Sequence, residues 1–384
     1  MRLPTARFTA ILALSAIACS DDLPTAPKGY SLVSQGRAER GLIVHVALQR
    51  DGDTTVVAAT GITATPVGAA TVSSNGDVLL TKAGATTIAA KTPDGTSVSL
   101  VINVAVPPLI VFDGRAAGNR DIYRVAIDGG DITRLTTHVA DDVYPTSVAN
   151  SVLFTSFRDG NAELYTVGID GTTERKRTQT LIGETQPALS PDGKHVTYTN
   201  NVSSVNKVWI GTIDLTTASL ITGTAPLTPA TFGNAFAPEA SPSWAPASDK
   251  LVFVATATPS GGAGLFTAAA TAGVTPVIVA GSGTQVIEVE PSWSSDGFFL
   301  VYAAVVGNAT EIFIRDLRTS VVTQLTRNTG SSGQPTWLLD GRVVFTTFSG
   351  ANSTISWVDP AQPLVIHPIV TTGLSAEHSA PVRP

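Results

Sequence analysis

From Tyr30 to Val106 apolar and polar residues alternate, as in Leu42-Ile43-Val44-His45-Val46 and Ser97-Val98-Ser99-Leu100-Val101-Ile102-Asn103-Val104. A period of two places successive side chains on opposite faces of a pleated strand, so each run predicts a strand with one buried face. Turn formers separate the runs at Asp51-Gly52-Asp53, Asn75-Gly76-Asp77 and Pro93-Asp94-Gly95. Short strands with such turns predict a small β-sandwich over 30–106.

From Pro107 onward the pattern changes and repeats itself. One recurrent feature is a strand ending in an aromatic: Ile110-Val111-Phe112, Val152-Leu153-Phe154, Val196-Thr197-Tyr198, Leu251-Val252-Phe253, Leu300-Val301-Tyr302 and Val343-Val344-Phe345. A second strand opens after a Gly- or Asn-containing turn, clearest at Gly118-Asn119-Arg120-Asp121 and Gly160-Asn161-Ala162-Glu163, and carries Tyr123, Tyr165, Trp209, Phe266, Phe313 or Trp357. These second aromatics are expected to pack between adjacent repeats rather than to stack on a ligand. The third feature is a proline, at Pro145, Pro187, Pro242, Pro291, Pro335 and Pro381, with spacings of 42, 55, 49, 44 and 46 residues. That is the length of a four-stranded unit able to bury its apolar faces only against its neighbours. The expected fold class is all-β, with a six-bladed β-propeller over 107–384, because ring closure leaves few sheet edges exposed. Residues 109–136 supply three strands of the first blade. The segment Ala380-Pro381-Val382-Arg383-Pro384 is expected to add the missing innermost strand and so to join the two ends of the ring.

The repeats also carry a local motif: Pro187-Ala188-Leu189-Ser190-Pro191-Asp192-Gly193, Pro242-Ser243-Trp244-Ala245-Pro246, Pro291-Ser292-Trp293-Ser294-Ser295-Asp296-Gly297 and Pro335-Thr336-Trp337-Leu338-Leu339-Asp340-Gly341. Asp-Gly makes a hairpin turn, since Gly tolerates φ > 0 and Asp bonds the backbone that follows. A proline, a Trp two residues on and then Ser-Pro-Asp-Gly is similar to the signature of the TolB-type, WD-repeat-like propeller family. The resemblance implies a periplasmic binding protein that engages lipoproteins and membrane-complex partners through one mouth of its central channel. Within the first domain, Ala70–Val104 resembles a group 2 bacterial immunoglobulin-like (Ig-like) domain, with Gly76 and Gly84 at its tight turns and Ile88 in its core. The usual mid-domain Trp is missing, since no Trp precedes Trp209. Such a domain implies a spacer or an adhesion module.

Ahead of the first strand, Arg2 and Arg7 flank the start of a short apolar run, Phe8 to Ala18, which ends Ala16-Ile17-Ala18-Cys19. The run is too short for a permanent membrane span and fits the core of a signal peptide. It resembles the bacterial lipoprotein signal, which implies lipidation of Cys19 after removal of 1–18. Two or three acyl chains, at about 0.8 kcal/mol per buried CH₂, would then hold the protein on a membrane. Residues 20–29 are polar and contain prolines, so 19–29 reads as a tether. The expected location is the bacterial cell envelope, periplasmic or on the outer-membrane surface.

Composition narrows the function. Charged residues are 14% of the 384 and the net charge is −6, with no basic cluster, which excludes a nucleic-acid-binding face. One cysteine permits no internal disulfide and no cysteine metal site. The histidines His45, His138, His195, His367 and His378 are scattered, and no Gly-x-Ser-x-Gly occurs. No cofactor is expected, and a monomer is. The most suggestive polar positions lie three residues before the prolines: Asp142, Glu184, Glu239 and Glu288, then Ser332 and His378. In the family that loop leads into the innermost strand, so the carboxylates would ring the channel mouth and meet a cation or a basic or peptide partner. Alternatively, each carboxylate caps its own turn. Three functional readings follow: a protein-binding platform without enzymatic activity, a surface adhesin or glycan-binding lipoprotein, and a propeller hydrolase or lyase working through paired carboxylates.

Overall fold

In a computed structural model the described residues are 30–51, 54, 56–73, 75–116, 118–202, 205–230, 232, 239–256, 262–282, 287–327, 330–369, 371 and 373–383. Cys19 and the tether lie outside them. Every regular element among the described residues is a β-strand, and the chain divides into two compact units, Met1–Val106 and Pro107–Pro384.

In the first unit, Tyr30–Gln35, Ile43–Arg50, Val56–Ala58, Ala70–Val72 and Asp77–Leu80 form one sheet, and Thr60–Thr65, Gly84–Lys91 and Ser97–Val104 form another. The alternation decides which side chains meet. Val44, Val46, Leu48, Val78 and Leu80 of the first sheet pack against Ile88, Ala90, Val98 and Ile102 of the second, while Ile43, next to Val44 in the same strand, stays 58% exposed. Gly76 turns the hairpin at φ +89°, and a Cβ there would sit 2.8 Å from the Val46 carbonyl oxygen, so only glycine fits.

The second unit contains six four-stranded antiparallel sheets. Blades 2 to 6 are each built from four consecutive strands, beginning with Asp142–Val148, Glu184–Leu189, Glu239–Trp244, Glu288–Trp293 and Ser331–Trp337. Blade 1 takes Leu109–Arg115, Arg120–Ala126 and Thr133–Arg134 from its start and Ser375–Pro381 from the end of the chain. The closing strand pairs Ser375 with Arg115 and Ala380 with Val111, so it begins five residues before the expected Ala380. The first strands of the six blades touch in order around the ring, and the strand of blade 6 touches Ser375–Pro381. The fold is a six-bladed propeller with a single central channel.

The second strand of each blade is buried on both faces, which explains why it reads as a continuous apolar run rather than an alternation. Val111 and Ile122 of blade 1 share a core with Val152, Phe154 and Tyr165 of blade 2; Val208 and Ile210 of blade 3 share one with Leu251, Phe253 and Phe266 of blade 4. Each such side chain contributes about 1.5–3 kcal/mol of transfer free energy. The paired aromatics stack across the strands, at 5.5 Å for Phe112–Tyr123 and 6.0 Å for Tyr302–Phe313. In blade 6 the phase slips by one: Trp357 pairs with Val344 and stacks on His367 at 3.9 Å. The Asp-Gly turns form as expected, with Lys194 N–H donating to Asp192 Oδ1 at 3.1 Å and Phe298 N–H to Asp296 Oδ1 at 2.9 Å.

Candidate functional site: the polar ring of the central channel

The first strand of every blade is interrupted by a bulge at the same place, after Val143, Thr185, Ala240, Val289, Gly333 and Glu377. The bulged residue is Tyr144, Gln186, Ser241, Glu290, Gln334 or His378, each at φ between 50° and 55°. Left-handed backbone costs an ordinary residue about 1–2 kcal/mol, so it must be held in place. Three of the six bulges are held by the side chain of the preceding bulged residue. Ser241 N–H donates to Gln186 Oε1 (3.1 Å), Gln334 N–H to Glu290 Oε2 (2.6 Å) and His378 N–H to Gln334 Oε1 (3.0 Å). Tyr144 N–H instead donates to Asp113 Oδ1 at 3.3 Å.

All six bulged residues line one cavity of about 330 Å³. Below them comes a collar of Pro145, Pro187, Pro242, Pro291 and Pro335, completed by Ser379, and then the hydroxyls of Thr146, Ser243, Ser292 and Thr336. The amide orientations are fixed by the wall. Gln186 Oε1 also accepts from Thr199 (3.1 Å), and Gln334 Oε1 from Thr346 (2.8 Å). With both carbonyl oxygens occupied, the two Nε2 groups remain as the donors a guest can use.

On one side of the ring, His378 Nδ1 lies 2.7 Å from Asp113 Oδ1, and its ring centroid is 4.2 Å from that of Tyr144. Asp113 is fully buried and also bonds Arg120, whose Nη1 reaches Glu377 Oε1 at 3.1 Å. Asp113 therefore fixes the tautomer and orientation of His378, because a carboxylate accepts from Nδ1–H. Burial, reinforced by the negative charges of Asp113, Glu290 and Glu377, raises the Tyr144 pKa and keeps the phenol a donor. Burial also raises the Glu290 pKa, against the opposing pull of the Gln334 N–H and of His378.

The carboxylates singled out by the repeat do not form this ring. Asp142, Glu184, Glu239 and Glu288 are at most 1% exposed, and the channel lining does not include them. Each opens the first strand of its blade, where the crossover from the preceding blade arrives, and nearby donors take up its charge. Arg158 Nη2 reaches both oxygens of Asp142 at 3.2 and 3.1 Å. Glu239 accepts from Lys207 Nζ (3.0 Å), Thr228 Oγ1 (2.6 Å) and Val208 N–H (3.1 Å). Glu288 pairs with Arg315 at 2.6 Å and bonds Ser282. Glu184 touches Thr180 Oγ1 at 2.5 Å. Lys207 and Val208 reach Glu239 from the preceding blade, whereas Arg158 and Arg315 belong to the same blades as Asp142 and Glu288; the carboxylates tie the start of each blade down, mostly through hydroxyls and cations rather than through backbone N–H groups. The Asn of the Gly-Asn turns staples the same crossovers, with Asn119 Nδ2 donating to His138 O (2.8 Å) and Asn161 Nδ2 to Thr180 O (3.0 Å).

His378 does face the channel, but for a different reason than its distance from Pro381. The pairing of Glu377 with Asp113 aligns His378 with Tyr144 and Ser379 with Pro145, so the counterpart of Asp142 in this blade is Ala376. Pro381 imitates the repeat two residues out of phase. The readable signal for the true ring is the residue immediately before each of the first five prolines, which is polar at Gln186, Ser241, Glu290 and Gln334 and aromatic at Tyr144.

No protein-family model matches the chain, and no curated protein matches it. Among solved structures it is similar to TolB from Acinetobacter baumannii, with a TM-score of 0.59 and 14% identity over 79% of this chain and 81% of that one. A putative TolB from Agrobacterium tumefaciens gives a TM-score of 0.53 and 12% identity over 72% of this chain and 98% of that one. A chain of the nidogen/laminin complex gives a TM-score of 0.54 and 10% identity over 71% and 98%. What these chains share with this one is the propeller: a TolB-like fold.

Proposed function

We propose that this protein is a binding platform of the bacterial cell envelope, without enzymatic activity, which receives a protein partner at the mouth of the propeller channel. The observation that carries the reading is the ring of bulged residues. Six blades each spend backbone strain to place one side chain at the same level of the channel, and the side chains differ: Tyr, Gln, Ser, Glu, Gln and His. Structural necessity would be met by six identical residues, whereas varied donors and acceptors around one cavity are what recognition requires. The TolB-like fold supports an envelope role. In the same reading Cys19 carries the lipid anchor, 19–29 is the tether, and 30–106 is an Ig-like spacer holding the propeller off the membrane.

The test is a pull-down from envelope extract with the whole chain as bait, beside a Tyr144→Ala/Glu290→Ala variant whose far-UV circular dichroism matches wild type. The expected result is a protein retained by wild type and lost with the variant. Equal recovery on both baits would refute the channel as the recognition surface. Labelling with radioactive palmitate should mark the wild-type chain and not Cys19→Ala; equal labelling would remove the anchor.

A further inference from the structure

The channel lining includes one charged group that the wall leaves alone. Arg383 follows the closing strand, whose ladder continues through Val382 N–H to Leu109 O at 2.9 Å. The Arg383 side chain lines the channel cavity, and among the described residues it makes no hydrogen bond and no ion pair. Burial lowers its pKa, with no neighbouring carboxylate to offset that. Other buried arginines of the propeller are served: Arg120, Arg158 and Arg315 each have a carboxylate within hydrogen-bonding distance, and Arg177 bonds Thr166 and the carbonyls of Asp214, Thr217 and Ser219. A half-buried guanidinium without an anion is costly to keep, and a guest anion relieves that cost. A second group waits in the same wall. Ser379, the one break in the proline collar, is 7% exposed and its Oγ is buried without a partner.

The two ends of the channel differ in kind. His378 and Arg383 lie five residues apart along the closing strand and its continuation through Val382, a separation of at most about 16 Å at roughly 3.3 Å per residue. At the ring end the groups open to a guest are the Gln186 and Gln334 amide N–H donors, the Tyr144 hydroxyl and the Glu290 oxygen that does not hold Gln334 N–H. At the far end stands Arg383. Between them the lining is mostly prolines and small hydroxyl residues, with Leu189, Trp244 and Ala380 among them, a surface with few side-chain charges that suits an extended polypeptide. We infer that the channel accepts the carboxyl-terminal segment of a partner polypeptide in extended form, with its terminal carboxylate on Arg383 and its backbone amides served by the ring. The inference rests on the platform reading and names the part of the partner that is recognised. Arg suits this task, because its planar fork bonds both oxygens of a carboxylate.

The experiment uses the whole chain immobilised on beads and three probes: a random hexapeptide pool with free carboxyl ends, the same pool amidated, and acetate. The free-acid pool should be retained over the amidated pool by on the order of tenfold to a hundredfold, the range of one or two charge-assisted hydrogen bonds. Arg383→Gln should abolish that preference. Gln186→Leu should weaken retention of both pools without changing the ratio between them. Equal retention of acid and amide pools, or an undiminished acid preference in Arg383→Gln, overturns the inference. Displacement of the peptides by acetate at equal concentration would reduce the site to one for any small anion and overturns it too. If neither pool is retained while the envelope pull-down still yields a partner, the carboxyl-terminus inference falls and the platform reading stands.

Discussion

Glu184 offers a quantitative check of the blade junctions. Its carboxyl is fully buried at the junction of blades 2 and 3, with Oε2 left without a partner. Burial first, and then the neighbouring Glu163, push its pKa up to about 7. Thr180 Oγ1, 2.5 Å from Glu184 Oε1, donates to the carboxylate and opposes that rise without cancelling it. In the unfolded chain the group titrates near 4.5, so between pH 4.5 and 7 the folded state holds a proton that the unfolded state has lost. Stability therefore falls as pH rises through that window and levels off above it. The full difference corresponds to roughly 3 kcal/mol at about 1.4 kcal/mol per unit. Glu184→Gln keeps an acceptor for Thr180 and cannot ionise. The variant should match wild type near pH 4.5 and exceed it by on the order of 3 kcal/mol at pH 8. Urea unfolding followed by tryptophan emission measures this cleanly, because all five tryptophans lie in the propeller. An offset between variant and wild type that is the same at both pH values would refute the assignment.

Other perturbations bear on the same architecture. Glu288→Ala strands the buried Arg315, 2.6 Å away in wild type, and should cost about 3–5 kcal/mol, while replacing both partners with Met should cost much less; urea midpoints compare the two. Gly193 turns the Asp192 hairpin at φ +69°, so Gly193→Ala should lower stability by about 1 kcal/mol through backbone strain, whereas an unchanged or raised melting temperature would show that the turn relaxes. Asn161→Ala removes the staple onto Thr180 O and should speed hydrogen exchange of the 178–184 crossover without unfolding the ring; exchange unchanged there would assign the crossover's order to other contacts.

The blade count and the closure were legible because they rest on features local to each repeat. An apolar strand ending in an aromatic, an Asp-Gly turn and a proline recur at intervals that only a four-stranded unit explains, and a three-stranded start demands a strand from the far end. The site was harder to read. A residue before proline ordinarily favours extended backbone, so nothing local marks Tyr144 or Gln186 as left-handed and turned to the channel; the bond that holds Tyr144 comes from Asp113 of the blade before, and those of the Gln186 side chain from Thr199 and Ser241. The carboxylates misled for the complementary reason. Their periodic placement is real, but the cations and hydroxyls that take them up, such as Arg158, Lys207, Thr228 and Arg315, come from other strands and crossovers. Pro381 added a false phase, since it falls at repeat distance from Pro335 although the bulge before it is at His378.

Ring closure by the chain's last strand is the claim on which the channel, its polar ring and Arg383 all depend. Native-state hydrogen exchange of peptides covering Ser375–Pro381 tests it without any substitution. Exchange as slow as that of Leu109–Arg115, the strand it pairs with, and slowing in parallel with it as urea is withdrawn, is the expected result. Exchange at the rate of an exposed tail, with Leu109–Arg115 behaving as a sheet edge, would contradict the closed ring.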